Sequence, residues 1–112
     1  IKMELLNTNE APQAIGPYSQ SVKVNGLIYT SGQIALTSKD KMCKNDIKEQ
    51  TRQVFNNIKA ILENAQSNLD NVVKVNIYLT SMKDFGIVNV IMAEIFGEHK
   101  PARSTIEVNA LP

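Results

Sequence analysis

Arginine occurs only twice in this chain, against ten lysines, and one of the two stands in the stretch Lys100-Pro101-Ala102-Arg103-Ser104-Thr105. Pro101 fixes its own φ and biases the residue before it towards extended backbone. Ser104-Thr105-Ile106-Glu107-Val108 then alternates small or polar with apolar residues and is predicted to be a strand. Arg103 therefore sits at the mouth of a strand, on rigid backbone, with a planar fork suited to gripping a small carboxylate through two parallel bonds. The plain alternative is a solvated arginine at a strand start. The other arginine, Arg52, follows Glu49 by three residues in a predicted helix, where a surface ion pair explains it. The single histidine, His99, falls in the loop Gly97-Glu98-His99-Lys100-Pro101 without cysteine or histidine neighbours. That setting predicts a solvated loop residue and no metal site.

These groups belong to a chain of 112 residues, enough for one domain with a real core and without disulfides or metal. Apolar residues make up 43% and charged residues 21%, ordinary values for a soluble globular protein. A net charge of +1 gives no electrostatic case for nucleic acid or an anionic membrane. The absence of tryptophan removes the best base-stacking platform. Cys43 is the only cysteine, so no intrachain disulfide forms, and a cytoplasmic address is expected, with organelle import left open. No apolar run approaches a membrane span, and the N-terminus lacks a signal-peptide pattern.

The elements that must position Arg103 are short and clearly punctuated. Lys2 to Asn7 reads as a first strand, followed by a loop containing Pro12 and Gly16-Pro17. Ser21–Val24 and Leu27–Ser31 flank Asn25-Gly26, the strongest short hairpin signal. Residues 36–45 read as loop. Asp46-Ile47-Lys48-Glu49 fits a capping box, and Ile47, Val54, Phe55, Ile58, Ile61, Leu62 and Ala65 follow at helical spacing. Val72–Thr80 reads as a strand with Val73, Val75, Ile77 and Leu79 on one face and Lys74, Asn76 and Tyr78 on the other. Ser81-Met82-Lys83-Asp84 resembles a second capping box, opening a helix with Phe85, Val88, Met92, Ile95 and Phe96 inward and Gly97 as its stop.

The order of hairpin, helix, strand, helix and strand predicts an α+β fold, a mixed sheet with both helices on one face. The other face is then uncovered. Asn76 and Tyr78 make it too apolar for plain solvent, and self-association is the economical way to cover it.

Several blocks resemble one family. Gly16-Pro17-Tyr18-Ser19-Gln20, Ile28-Tyr29-Thr30-Ser31-Gly32-Gln33-Ile34 and Gln50-Thr51-Arg52-Gln53-Val54-Phe55-Asn56-Asn57-Ile58 are similar to the reactive-intermediate deaminase family, RidA, also called YjgF. So are Val73–Thr80, Met82-Lys83-Asp84-Phe85 with Val88-Asn89, and Pro101–Thr105, in one register from about residue 5 to 112. The resemblance implies a single RidA-like domain over residues 1–112 with a chorismate-mutase-like fold. It also implies a homotrimer whose sheets form a central barrel, with active sites in clefts between subunits. The implied reaction is hydrolysis of 2-enamine or 2-imine acids, such as 2-aminoacrylate, to 2-keto acids and ammonia, with no metal or organic cofactor. By position, Arg103 would clamp the substrate carboxylate, and Tyr18, Ser31, Gly32, Asn89 and Thr105 would line the same cleft. Thr105 stands where many members have cysteine, a thiol that imine hydrolysis does not require. Members of the family usually continue past the Leu111-Pro112 position into a strand carrying an acidic residue, a strand this sequence is expected to lack, and Glu107, which shares the parity of Arg103 and Thr105, could be proposed as a stand-in.

Each of these residues also has an ordinary reading. Tyr18 after Gly16-Pro17 suits a loop aromatic packed on the core, Ser31 and Gly32 suit a strand end, and Thr105 suits any strand. Asn89, a poor helix former off the apolar stripe, suits a solvated helix position. Two other function classes compete with the deaminase. One is a small-ligand-binding or regulatory trimer without turnover. The other, a translation-inhibiting ribonuclease, is disfavoured by the near-neutral charge and the lack of a histidine catalyst.

Overall fold

The computed structural model describes residues 1–44 and 46–112. Among these the chain runs β1 (Met3–Leu6), β2 (Ser21–Val24), β3 (Leu27–Thr30), α1 (Ile47–Asn64), β4 (Lys74–Leu79), α2 (Phe85–Phe96) and β5 (Ala102–Glu107). Single turns of 3₁₀ helix, Leu69–Asn71 and Met82–Asp84, precede β4 and α2. The predicted elements are all present, with ends trimmed by a residue or two. In the predicted loop of residues 36–45, Leu36 and Met42 form an isolated bridge, and position 45 lies outside the described residues.

Asn25 and Gly26 both adopt positive φ, 52° and 75°, the geometry a two-residue hairpin turn needs to match strand twist. β1, β2 and β3 pair antiparallel in that order, while β4 and β5 pair in parallel around α2. The pairing is mixed, as the element order predicts, but it is divided between two hydrogen-bonded sheets. Local connections close each ladder, and among the described residues none joins β3 to β4.

Both helices cover the same side. Phe55 of α1 meets Phe96 of α2 edge to face at 5.5 Å, a pair contributing about 0.5–1.5 kcal/mol beyond its burial. Val75 and Ile77 of β4 pack beneath this pair, together with Met92. The opposite end of α1 lies over the hairpin, where Lys23 Nζ donates to the Ala65 carbonyl at 3.4 Å, placing a cation at the negative end of the helix.

Four expectations are corrected by this packing. Arg52 pairs with Glu94 of α2 at 2.9 Å and not with Glu49, because the α1–α2 contact brings a closer carboxylate. His99 is half-buried with its Nε2 2.6 Å from the Val72 carbonyl, so it fastens the start of β5 to the approach to β4. Asp46 caps α1 through the Lys48 N–H, one position short of the bond a capping box makes. Ile91, absent from the predicted stripe of α2, is buried, whereas Val73 lies just outside β4 and is exposed.

The uncovered side is apolar. Register partners share a face, so Met3, Val24 and Leu27 form one row and Leu5, Val22 and Tyr29 the next, opposite the face that carries Lys23. Leu5 is 67% and Tyr29 59% exposed. On the second sheet the register pair Tyr78 and Ile106 is about half exposed in the same way.

A buried amide anchors the N-terminal loop. Gln20, 2% exposed, accepts from the Thr8 N–H at 2.7 Å and donates to the Thr8 and Pro12 carbonyls at 3.0 and 2.8 Å. Gln20→Leu leaves those backbone groups unpartnered and is expected to destabilise the fold by about 1–3 kcal/mol. Urea unfolding at fixed protein concentration measures this, and an unchanged midpoint would show that water replaces the amide.

Candidate active site

Alternation along β5 turns Arg103, Thr105 and Glu107 towards the helix layer. In α2, Phe85, Asn89 and Met92 recur at i, i+4 and i+7 and so share one face. The two patterns meet at the Arg103 guanidinium. Its Nη1 donates to Asn89 Oδ1 at 2.5 Å and lies 3.8 Å from the Met92 sulfur. Its central carbon stands 5.1 Å from the centroid of the Phe85 ring. Nε and Nη2 have no protein partner among the described residues, so one donor edge of the fork is open.

Two residues along β5, the Thr105 hydroxyl is buried and unpartnered among the described residues. It is a donor and acceptor held beside the arginine with nothing of its own chain to bond. Glu107 is engaged elsewhere. Its Oε1 accepts from the Met82 N–H at 2.7 Å and so caps the 3₁₀ turn that leads into α2. The carboxylate read as a stand-in for a water-activating acid thus supports the helix that carries Asn89.

The remaining predicted residues form a second group. The Tyr18 N–H donates to the Gly16 carbonyl at 2.8 Å and its hydroxyl accepts from the Ile15 N–H at 3.3 Å, which curls the loop and leaves the ring about half exposed. Ser31 holds that loop to the end of β3. Its N–H donates to the Gln20 carbonyl at 2.9 Å and its Oγ to the Ser19 carbonyl at 2.5 Å. Gly32 follows, and a Cβ there would meet nothing of the described residues within 4 Å. Its lack of a side chain therefore has no reason in the packing of a single subunit. Among the described residues no hydrogen bond or ion pair joins the Tyr18–Ser31–Gly32 group to the Arg103–Asn89–Thr105 group.

Phe85 and Met92 both belong to the stripe predicted to face inward; Met92 is indeed in the core and also meets Arg103, whereas half-buried Phe85 lies outside that cluster. The signal available was their spacing from Asn89, four before and three after, which puts all three on one helical face. Neither group lines the shallow cavity of about 330 Å³ on the helix layer, which is bounded by Arg52, Phe55, Asn56, Lys59, Leu69 and Ile95. Among the described residues, no three His, Cys, Asp or Glu side chains gather to hold a metal, and no helix is long and apolar enough to cross a membrane.

A family model described as Endoribonuclease L-PSP matches residues 8–112. A RutC family protein of Pyrococcus horikoshii is 50% identical over 110 residues, 97% of this chain and 87% of that protein. A protein of Dermatophagoides farinae named 2-iminobutanoate/2-iminopropanoate deaminase is 41% identical over 109 residues, 96% of this chain and 85% of its own length. Among solved structures, that of E. coli TdcF with bound serine has a TM-score of 0.93 at 33% identity, covering 97% of this chain and 88% of the other. With nearly its whole length matched by the family and half its residues shared with an archaeal relative, the chain belongs to the Endoribonuclease L-PSP family, the group of the RutC and RidA (YjgF) proteins.

Proposed function

We propose that this protein hydrolyses 2-imino acids and their enamine tautomers, such as 2-aminoacrylate, to 2-keto acids and ammonia. The observation that carries the reading is the Arg103 fork, held by Asn89 and Phe85 with its Nε–Nη2 edge open beside an unpartnered Thr105 hydroxyl. A carboxylate on that edge places the adjacent imine carbon near the hydroxyl. Water adds to that carbon, giving a carbinolamine, and the carbon–nitrogen bond then breaks to release ammonia and leave the ketone. The imine carbon is already electrophilic, so the protein has to orient the substrate and the water and to stabilise the protonated imine. No electrons change hands, and the reaction calls for neither metal nor organic cofactor. The deaminase name of the Dermatophagoides relative and the serine bound to TdcF, an amino acid with a carboxylate, support this substrate class.

The working unit in this reading is a homotrimer. The apolar outer faces of the two sheets supply its seam. The Tyr18–Ser31–Gly32 group of one subunit completes the Arg103 group of its neighbour, and the open space around Gly32 leaves room for ligand or partner. The cytoplasm, where a lone unpaired cysteine stays reduced, is the proposed compartment.

The test generates 2-iminobutanoate in situ with an amino-acid oxidase and follows keto acid and ammonia together. Release well above the spontaneous rate supports the reading. Binding of 2-oxobutanoate with no acceleration would leave a ligand-binding trimer in its place.

A further inference from the structure

We propose that Phe85 is a positioning residue for the carboxylate clamp, its ring holding the Arg103 guanidinium so that the Nε–Nη2 edge is offered to ligand. The proposal rests on the deaminase reading above and deepens it. Phe85 is the first residue of α2 and is only half-buried. The apolar cluster of Phe55, Met92 and Phe96, with Leu69, Val72, Val75, Ile77 and Ile95 packed against it, does not include it. Its notable neighbour is a cation, the Arg103 central carbon 5.1 Å from the ring centroid. A ring face is the negative part of its quadrupole, and a guanidinium stacked over it is attracted and oriented at once.

Three contacts from one helix therefore define the arginine. Asn89 takes Nη1 at 2.5 Å, the Met92 sulfur lies 3.8 Å from the same nitrogen, and the Phe85 ring lies under the central carbon, its centroid 5.1 Å away. Asn89 and Met92 both sit on Nη1, so the side-on fork of Nε and Nη2 is the edge whose two nitrogens are both unpartnered among the described residues. A long side chain on an exposed strand would otherwise lose rotamer freedom on gripping its ligand. The contact with the ring removes part of that loss beforehand, which is how preorganisation raises affinity. The ring is itself held at a fixed point, since the turn before it is capped by the Ser81 hydroxyl on the Lys83 N–H and by the Glu107 carboxylate on the Met82 N–H.

The experiment uses the assembled protein with 2-oxobutanoate, which carries the carboxylate but no imine, as the binding probe. Pentafluorophenylalanine at position 85 keeps the ring and nearly its shape while reversing the quadrupole. Phe85→Leu removes the ring, and Phe85→Tyr keeps it. The fluorinated protein is expected to bind the probe about 3- to 10-fold more weakly, with KM for the imino acid rising by a similar factor and kcat within about twofold. Phe85→Tyr should match wild type. In an Arg103→Ala background the fluorinated ring should have no further effect, a coupling that a merely structural role does not produce. The fluorinated variant also keeps the test valid where Phe85→Leu fails to fold. Wild-type affinity in the fluorinated protein, with binding lost in Arg103→Ala, overturns the positioning role and leaves the clamp in place. A wild-type protein that neither binds the probe nor turns over imine overturns the deaminase reading and this proposal with it.

Discussion

Arg103→Ala is expected to lower kcat/KM for 2-iminobutanoate hydrolysis by about 30- to 1000-fold, the equivalent of roughly 2–4 kcal/mol of lost binding to a charged group. Arg103→Lys should recover little of this. A lysine ammonium is a point charge on a flexible stem and cannot reproduce two parallel N–H···O contacts. It also lacks the planar surface that lies over Phe85 and cannot at once hold Asn89 and offer a free fork. Both variants should fold and assemble as wild type does, because Arg103 is exposed and its known partners are one amide, one sulfur and one ring face. Coupled keto-acid detection beside a measurement of assembled mass separates the two effects. A correctly assembled Arg103→Ala protein with near wild-type turnover overturns the carboxylate clamp and the mechanism built on it.

The parts of the molecule legible in its sequence are those fixed by neighbours along the chain. Asn25-Gly26 dictates its turn because few residue pairs tolerate two positive φ values, and the stripe from Ile47 to Ala65 dictates a helix because its period has no other use. Alternation in Val75, Ile77 and Leu79 says which side of β4 is buried. It says nothing about which strand occupies each edge, since edge hydrogen bonds are made by backbone that is the same in every residue. The division into two sheets was therefore invisible. Partners of charged and polar side chains were hidden for a related reason. Arg52 has a plausible carboxylate at Glu49, and only the crossing of α1 with α2 substitutes Glu94. His99 lacks neighbours in sequence, but the carbonyl it meets belongs to Val72, 27 residues earlier. Arg103 and Asn89 lie 14 residues apart on different elements, and no pattern within either predicts their contact. Its sequence context singles out Arg103 and resemblance to a family adds Asn89, whereas the bond between them, and the ring 5.1 Å from the guanidinium carbon, arise only from the packing of α2 on β5.

Tyr78→Glu is expected to take the protein from about three times its 12.4 kDa chain mass to a single chain at micromolar concentration, and to abolish turnover with it. Tyr78 is about half exposed on the outer side of β4, paired in register with Ile106, an apolar contact that no element among the described residues covers. In the proposed trimer that face is closed by neighbouring subunits. A carboxylate there would be desolvated without a partner, at a cost of roughly 3–5 kcal/mol for each uncompensated charge, and each trimer would bury three. Loss of activity follows if the site is divided as proposed, because among the described residues Tyr18, Ser31 and Gly32 make no bond to the Arg103 group. Asn56→Glu, on the exposed surface of α1, introduces the same charge on the opposite side of the molecule and should leave both mass and turnover unchanged. Sedimentation velocity and the coupled assay on the same samples provide the measurement. A Tyr78→Glu trimer with full activity would place the seam elsewhere, and full turnover in a monomer would show that one chain holds the whole site.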